Sequence, residues 1–317
     1  MSPAAGEALV GVVACSRAMR ETVALVLRLA EARSPVLLEG ESGTGKDLVA
    51  HWLHYGGGRR EAPFIKVHCP SIPSELLESE LFGHERGAFT DARQAKAGKI
   101  EMAAAGTLYF DQVQDLAPAL QAKLLRVVEE RRFERVGGTR TIEVDVRFVA
   151  SSNVDLGEAV RDGRFREDLF HRLAVVPVRL APLRERREDV LPLADAFLER
   201  EREAGKTHAT GFAPEAAELL RGYLWPGNVR ELRSVVERAA LVAGEGLVPP
   251  SALPPRVLEQ PQALWAGRER RPTLRDVELA YIRHVLDSVG GSQTRAAAVL
   301  GISRKALWEK RRRHGIG

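Results

Sequence analysis

The sequence predicts an α/β fold: a parallel sheet with helices on both faces, followed by a small helical subdomain and a C-terminal all-α module. Three observations predict it. Short apolar segments alternate with helix-like stretches through the first half of the chain. From about Leu191 to Val242 the pattern turns helical, with no convincing strand. A proline-rich stretch then precedes a strongly basic, helical end.

The expected strands are Val36-Leu37-Leu38, Phe64-Ile65-Lys66-Val67, Thr107-Leu108-Tyr109-Phe110 and Val146-Arg147-Phe148-Val149-Ala150. The helical subdomain rests on PLADAFLERERE, PEAAELLRGYL and VRELRSVVERAALV. Between Gly246 and Pro272 six prolines and no sustained periodicity predict a linker that resists helix and sheet. The expected division is therefore 1–180, an α/β unit; 181–245, a helical subdomain; 246–272, the linker; and 273–317, a helical module.

The 317 residues are 44% hydrophobic and 28% charged, which excludes a wholly disordered chain. A net charge of +4 is uninformative until it is divided: residues 268–317 carry 12 Lys and Arg against 5 Asp and Glu, +7, leaving −3 for the rest. A basic terminal module on a mildly acidic body is a nucleic-acid footprint. The two cysteines, Cys15 and Cys69, are too few for a disulfide-stapled scaffold and read as ordinary buried thiols. No apolar run is long enough to span a bilayer, and MSPAAGEALV lacks the regions of a signal peptide, so no membrane partner and a cytoplasmic location are expected. No repeat of 20–50 residues occurs.

Gly40-Glu41-Ser42-Gly43-Thr44-Gly45-Lys46 follows an expected strand and precedes an expected helix, the setting of a phosphate-binding loop. Its glycines let backbone N–H groups turn toward phosphate oxygens, and Lys46 supplies a point charge to the outer phosphates. Asp47 stands where the general pattern has a magnesium-binding Ser or Thr. Asp111, at the end of another strand, can hold Mg2+ through water. The following residue is Gln112 rather than the usual glutamate, and an amide orients water but cannot accept its proton. His51 and His54 share a helix face, where a surface or lid contact is expected in preference to a metal site.

GESGTGKD, SELFGHERGAFTDA, GTLYFDQ, GRFREDLFHRL, PLRERREDV and WPGNVREL occur in an order that resembles the sigma-54-dependent transcriptional activators, the bacterial enhancer-binding branch of the AAA+ ATPases, from about Val10 to Ala243. GGSQTRAAAVLGISRKALWEKRRRHGI resembles the Fis-type helix-turn-helix of the same proteins. The resemblance implies a ring, usually hexameric, with ATP between subunits and surface loops driven against sigma-54 on RNA polymerase. It implies that Gly40 to Asp47 bind ATP, that Gly11 opens the adenine pocket, that Asn153 is sensor I and that Arg230 is sensor II. Arg166 and Arg172 are similar to the arginines offered to a neighbour's ATP, where they offset charge on the transferred phosphoryl group. No receiver or ligand-sensing domain is expected ahead of the ATPase.

Three departures from the family pattern stand out. The family's GAFTGA loop reads Gly87-Ala88-Phe89-Thr90-Asp91-Ala92; Phe89 and Thr90, the pair implied to touch sigma-54, are present, while Asp91 replaces a glycine and adds a charge. Gln112 replaces the catalytic glutamate, and His68 replaces the asparagine that usually restrains it. Slow ATP hydrolysis is the expectation, with His68 acting as base the alternative.

At the C-terminus, helices are expected over Leu274–Ser288, Thr294–Leu300 and Ser303–His314, with Gly301 at the turn. The last helix would enter the major groove of DNA, with Arg304, Lys305, Trp308 and Lys310 as contacts and Arg311, Arg312 and Arg313 on phosphates. Such modules pair, so a dimeric DNA-binding end on upstream activator sites is implied. The whole reads as a sigma-54 activator using ATP and Mg2+; a DNA-binding regulator that binds ATP but no longer remodels polymerase is the alternative.

Overall fold

The computed structural model describes residues 13–90, 92–258, 273–288 and 292–314. Gly11 and Asp91, both singled out above, lie outside them. The first unit runs α1 (Arg17–Ala30), β1 (Val36–Glu39), α2 (Lys46–Tyr55), β2 (Phe64–His68), α3 (Ser74–Phe82), β3 (Gly83–His84), β4 (Lys96–Ala97), α4 (Lys99–Met102), β5 (Thr107–Asp111), α5 (Pro118–Glu130), β6 (Arg132–Glu134), β7 (Thr141–Glu143), β8 (Arg147–Ser152), α6 (Leu156–Arg161), α7 (Glu167–Leu173) and β9 (Val176–Arg179).

The main sheet is parallel, in the order β2-β5-β8-β1-β9. The two-residue period of a strand divides its side chains between two cores. Leu108 and Phe110 face a core built with α3 to α7. Tyr109, between them, faces the other core, built with α1 and α2. Every residue of β8 is buried, including Arg147, whose guanidinium donates to the terminal carbonyls of two helices, Leu29 and Ala30 of α1 and Leu53 of α2. The four expected strands are present, and β9 is an additional one. Pro177 interrupts its apolar run, which reads against a strand, yet proline is tolerated on the sheet edge that β9 occupies.

The second unit contains α8 (Val190–Glu203), β10 (His208–Phe212), α9 (Pro214–Gly222), α10 (Asn228–Ala243), β11 (Glu245–Val248) and α11 (Pro255–Leu258) around its own core. Two sequence expectations are corrected here. A strand does occur within 191–242, since β10 pairs in parallel with β11; its HATGF sequence is too polar and glycine-containing to announce itself. The expected linker does not begin at Gly246, because Val248, Ala252, Leu253 and Val257 are buried in the helical core. Pro250 and Pro255 begin short helical turns instead of excluding them, as proline's fixed φ permits at a first turn.

The C-terminal helices are α12 (Leu274–Ser288), α13 (Gln293–Val299) and α14 (Arg304–His314), closed on Ile282, Val285, Leu286, Ala296, Ala297 and Leu307. Gly301 takes a φ of +65° at the turn, which a residue with a Cβ rarely adopts. Cys69 is buried, whereas Cys15 is exposed, contrary to expectation, because it precedes α1 at the surface. Among the described residues no helix is long and apolar enough to cross a membrane.

Candidate nucleotide and sigma-54 sites

The loop from Gly40 to Lys46 leaves the C-terminal end of β1 and opens α2, whose first N–H groups have no side-chain cap. Gly43 has a φ of +79°, and a Cβ there would lie 2.3 Å from the Gly227 carbonyl of the helical unit. That unit docks on the loop through several bonds. Val229 N–H donates to Gly43 O at 3.0 Å. Asn228 Nδ2 donates to Ser42 O at 3.0 Å and to Glu41 Oε2 at 3.2 Å. Arg230 donates to Ser42 Oγ at 2.9 Å.

Lys46 is bent back on its own loop, donating to Gly40 O at 2.5 Å and Glu41 O at 2.9 Å. Burial pushes its ammonium down to about 8 against the pull of Asp111 and Asp47. Thr44 is also tied to its loop, donating to Glu41 O at 2.8 Å.

The end of β5 places Asp111 beside β2 and β8. It accepts from Ser151 Oγ at 2.8 Å and lies 3.0 Å from His68 Nδ1 and 3.1 Å from Lys66 Nζ. Burial would raise the Asp111 carboxyl, but the bonds from Ser151, Lys66 and His68 outweigh it and hold the group below its ordinary range. Gln112 adopts a left-handed backbone, φ +62°, with its N–H on Ser151 Oγ at 3.1 Å and its amide oxygen 3.3 Å from Asn153 Nδ2. His68 therefore pairs with Asp111, not with position 112, where the family resemblance puts its counterpart.

These residues converge. Ser42, Gly43, Gly45, Lys46, Asp47, His68, Asp111, Gln112, Asn153 and Arg230 line one cleft of about 560 Å³ between the α/β unit and the helical unit. Arg166 and Arg172 are not in it. They are exposed on α7 and its start, paired with Asp168 at 2.7 Å and Glu129 at 2.5 Å. Sequence reading missed Lys66, Ser151, Arg184, Arg186 and Asn228, all of which contact the loop or Asp111. Arg184 holds Glu41 through two bonds of 2.6 and 2.8 Å, and buried Arg186 donates to Thr44 O. Asn228 sits in WPGNVREL, and Arg184 and Arg186 sit in PLRERREDV, strings that marked the family without showing what these side chains hold.

Of the α2 histidines, His54 departs from the expected surface contact, for it is buried 2.9 Å from Thr107 Oγ1. His51 is exposed, stacked on Tyr55 and tilted against Phe64 in an aromatic cluster over the sheet. The GAFT loop rises from the antiparallel β3 and β4, with Gly87 N–H closing on Ala92 O at 2.8 Å. Phe89 is exposed, its ring edge-on to His84 at 4.9 Å, and Thr90 is exposed beside it, while Ala88 packs on Gly137 of the β6–β7 hairpin and Ala92 turns inward.

On α14, Arg304, Lys305 and Trp308 are exposed, and Arg312 lies over the Trp308 ring at 5.5 Å. Arg311 is half-buried. Lys310 is paired with Glu278 of α12 and braces the module. The side chain of Arg313 lies outside the described residues.

A phosphate loop at a strand end, an acidic neighbouring strand and a docked helical unit define a P-loop nucleotide-binding protein with a lid. Comparison with known proteins narrows that class. Residues 12–179 match the sigma-54 interaction domain, residues 184–268 the AAA+ ATPase lid domain, and residues 273–314 the Fis family of bacterial regulatory proteins. The chain belongs to the sigma-54-dependent activators of the AAA+ ATPases. It is 43% identical to the regulatory protein AtoC of Escherichia coli K12 over 308 residues, covering 95% of this chain and 67% of AtoC. It is 49% identical to the Nif-specific regulatory protein of Herbaspirillum seropedicae over 237 residues, 75% of this chain and 44% of that protein. The crystal structure of NtrX from Brucella abortus with ATP superposes with a TM-score of 0.74 at 34% identity, covering 98% of this chain and 71% of NtrX.

Proposed function

We propose that the chain assembles into a ring that binds ATP and Mg2+ in the cleft, works on sigma-54-bound RNA polymerase through the loop around Phe89, and is held on DNA by paired C-terminal modules. The observation that carries the reading is one cleft holding the phosphate loop, Asp111, Asn153 and Arg230 together. The NtrX complexes with ADP and ATP support nucleotide as the occupant.

In this reading Lys46 leaves its loop carbonyls to meet the outer phosphates, aided by the N–H groups that open α2. Among the described residues no cluster of three or more metal-binding side chains stands ready. Asp111 and Asp47 nevertheless fit Mg2+, which is bound by one or two carboxylates with phosphates and water completing its shell; when bound, it neutralises charge on the phosphates. Arg230, already on Ser42, transmits the state of the loop to the lid. Arg166 and Arg172, outside their own chain's cleft, serve a neighbour's nucleotide and require the ring.

Hydrolysis is slow because Gln112 positions water beside Asn153 without taking its proton. A second reading has a specific footing: Asp111 engages His68 Nδ1, the arrangement that orients an imidazole as a base through Nε2. In that case turnover proceeds at ordinary rates and disappears in His68→Ala.

Engagement of sigma-54 is tested by co-elution with purified sigma-54 in the presence of ATP or a transition-state analogue. Complex formation dependent on the analogue, and lost in Phe89→Ala, is expected; no complex with the analogue bound would remove the sigma-54 part of the proposal.

A further inference from the structure

Asp47 is left unexplained by the phosphate loop. Its carboxylate is not turned to Lys46, which is bonded to loop carbonyls. It meets the ammonium of Lys66 on β2 at 2.7 Å, and the same ammonium reaches Asp111 Oδ2 at 3.1 Å. Tyr109 completes the group, its hydroxyl donating to Asp47 Oδ1 at 2.9 Å and lying 3.3 Å from Asp111 Oδ1. Its ring flanks the Lys66 ammonium, 5.5 Å from the centroid. The strand period explains the convergence, for Phe64, Lys66 and His68 point to one face of β2, toward α2 and the end of β5.

Two carboxylates brought together beside a site for phosphates repel each other and the ligand. Among the described residues Lys66 is the one cation in an ion pair with both carboxylates. We propose that Lys66 is a resident counter-cation for Asp47 and Asp111, one that a divalent cation arriving with nucleotide displaces, so that Lys66 sets the magnesium dependence of nucleotide binding. The inference rests on the reading of the cleft as a nucleotide site. Lys66 is a positioning residue in this role: it keeps the carboxylates in register before Mg2+ binds and competes with the ion afterwards. The ammonium is a compact charge on a flexible stem, able to swing aside without moving the strand.

The test is the affinity of the full chain for a fluorescent ADP analogue, titrated with MgCl2 from an EDTA baseline, in the wild type, Lys66→Met and Lys66→Met/Asp47→Asn. In EDTA, Lys66→Met is expected to bind the analogue more weakly, as unneutralised carboxylates face the phosphates. With MgCl2, its half-saturating magnesium concentration is expected to fall about tenfold, the scale of removing one partly buried competing charge. The double variant regains affinity in EDTA. Lys66→Arg, which keeps the charge, preserves the wild-type need for magnesium and separates the charge from any effect on folding.

A half-saturating concentration in Lys66→Met within twofold of wild type, with binding intact, overturns the proposal alone. Failure of the wild type to bind the analogue at any magnesium concentration overturns the nucleotide reading of the cleft and the proposal with it.

Discussion

Gln112→Glu is expected to raise steady-state phosphate release about 100-fold, the lower range of what a positioned general base contributes. The backbone at this position is already set, with φ +62° and the N–H held by Ser151, and glutamate is nearly the same size and shape. The new carboxylate would take the amide's place near Asn153 and gain what the amide lacks, the capacity to accept a proton from water. Nucleotide affinity should change little, since Gln112 makes none of the loop contacts. A phosphate-release assay on wild type, Gln112→Glu and His68→Ala reads the result. Unchanged turnover in Gln112→Glu, combined with loss in His68→Ala, would transfer the base to the histidine held by Asp111.

Trp225→Ala is expected to destabilise the helical unit by about 3–5 kcal/mol, the cost of removing a large aromatic side chain from a core. Trp225 is fully buried in that core. Its Nε1 donates to Leu220 O at 3.0 Å, and its ring meets Tyr223 edge-on at 4.7 Å. The residue also carries a φ of +51°, a costly conformation that the surrounding packing must hold. Denaturant unfolding followed by far-UV circular dichroism should reveal an early transition absent from wild type. Asn228, Val229 and Arg230, three to five residues further on, fasten the lid to the phosphate loop, so nucleotide affinity should fall together with stability. Trp225→Phe, which retains most of the buried area, should restore much of both. A cooperative unfolding curve and affinity equal to wild type in Trp225→Ala would show that this side chain does not hold the lid.

What was legible in the sequence was what is local. The strands β1, β2, β5 and β8 announce themselves as apolar runs, and the phosphate loop by glycine spacing between a strand and a helix. β9 was hidden by Pro177, because only its place at a sheet edge makes proline acceptable. The prolines after Gly246 read as a linker because their use as helix starts depends on a core assembled from distant residues.

The site divides in the same way. Lys46, Asp111, Asn153 and Arg230 sit in recognisable strings, while Lys66 was concealed in a segment read as apolar. Arg184 reaches Glu41 across 143 positions, and Asn228 reaches Ser42 across 186. No pattern along the chain records such pairings. The ion pair of Lys310 was hidden for a related reason: a basic helix reads the same from every side until α12 supplies Glu278 on one of them.

In the proposed function, occupation of this cleft by ATP drives remodelling of sigma-54-bound polymerase. The most direct measurement is open-complex formation by sigma-54 RNA polymerase on a cognate promoter, with the purified chain and ATP, read by permanganate reactivity of the melted strand. Melting is expected to require hydrolysable ATP, to proceed slowly in the wild type, to accelerate in Gln112→Glu and to be lost in Lys46→Ala. Melting of equal extent without ATP or in Lys46→Ala, or none in any variant although the chain binds both ATP and the promoter, would contradict it.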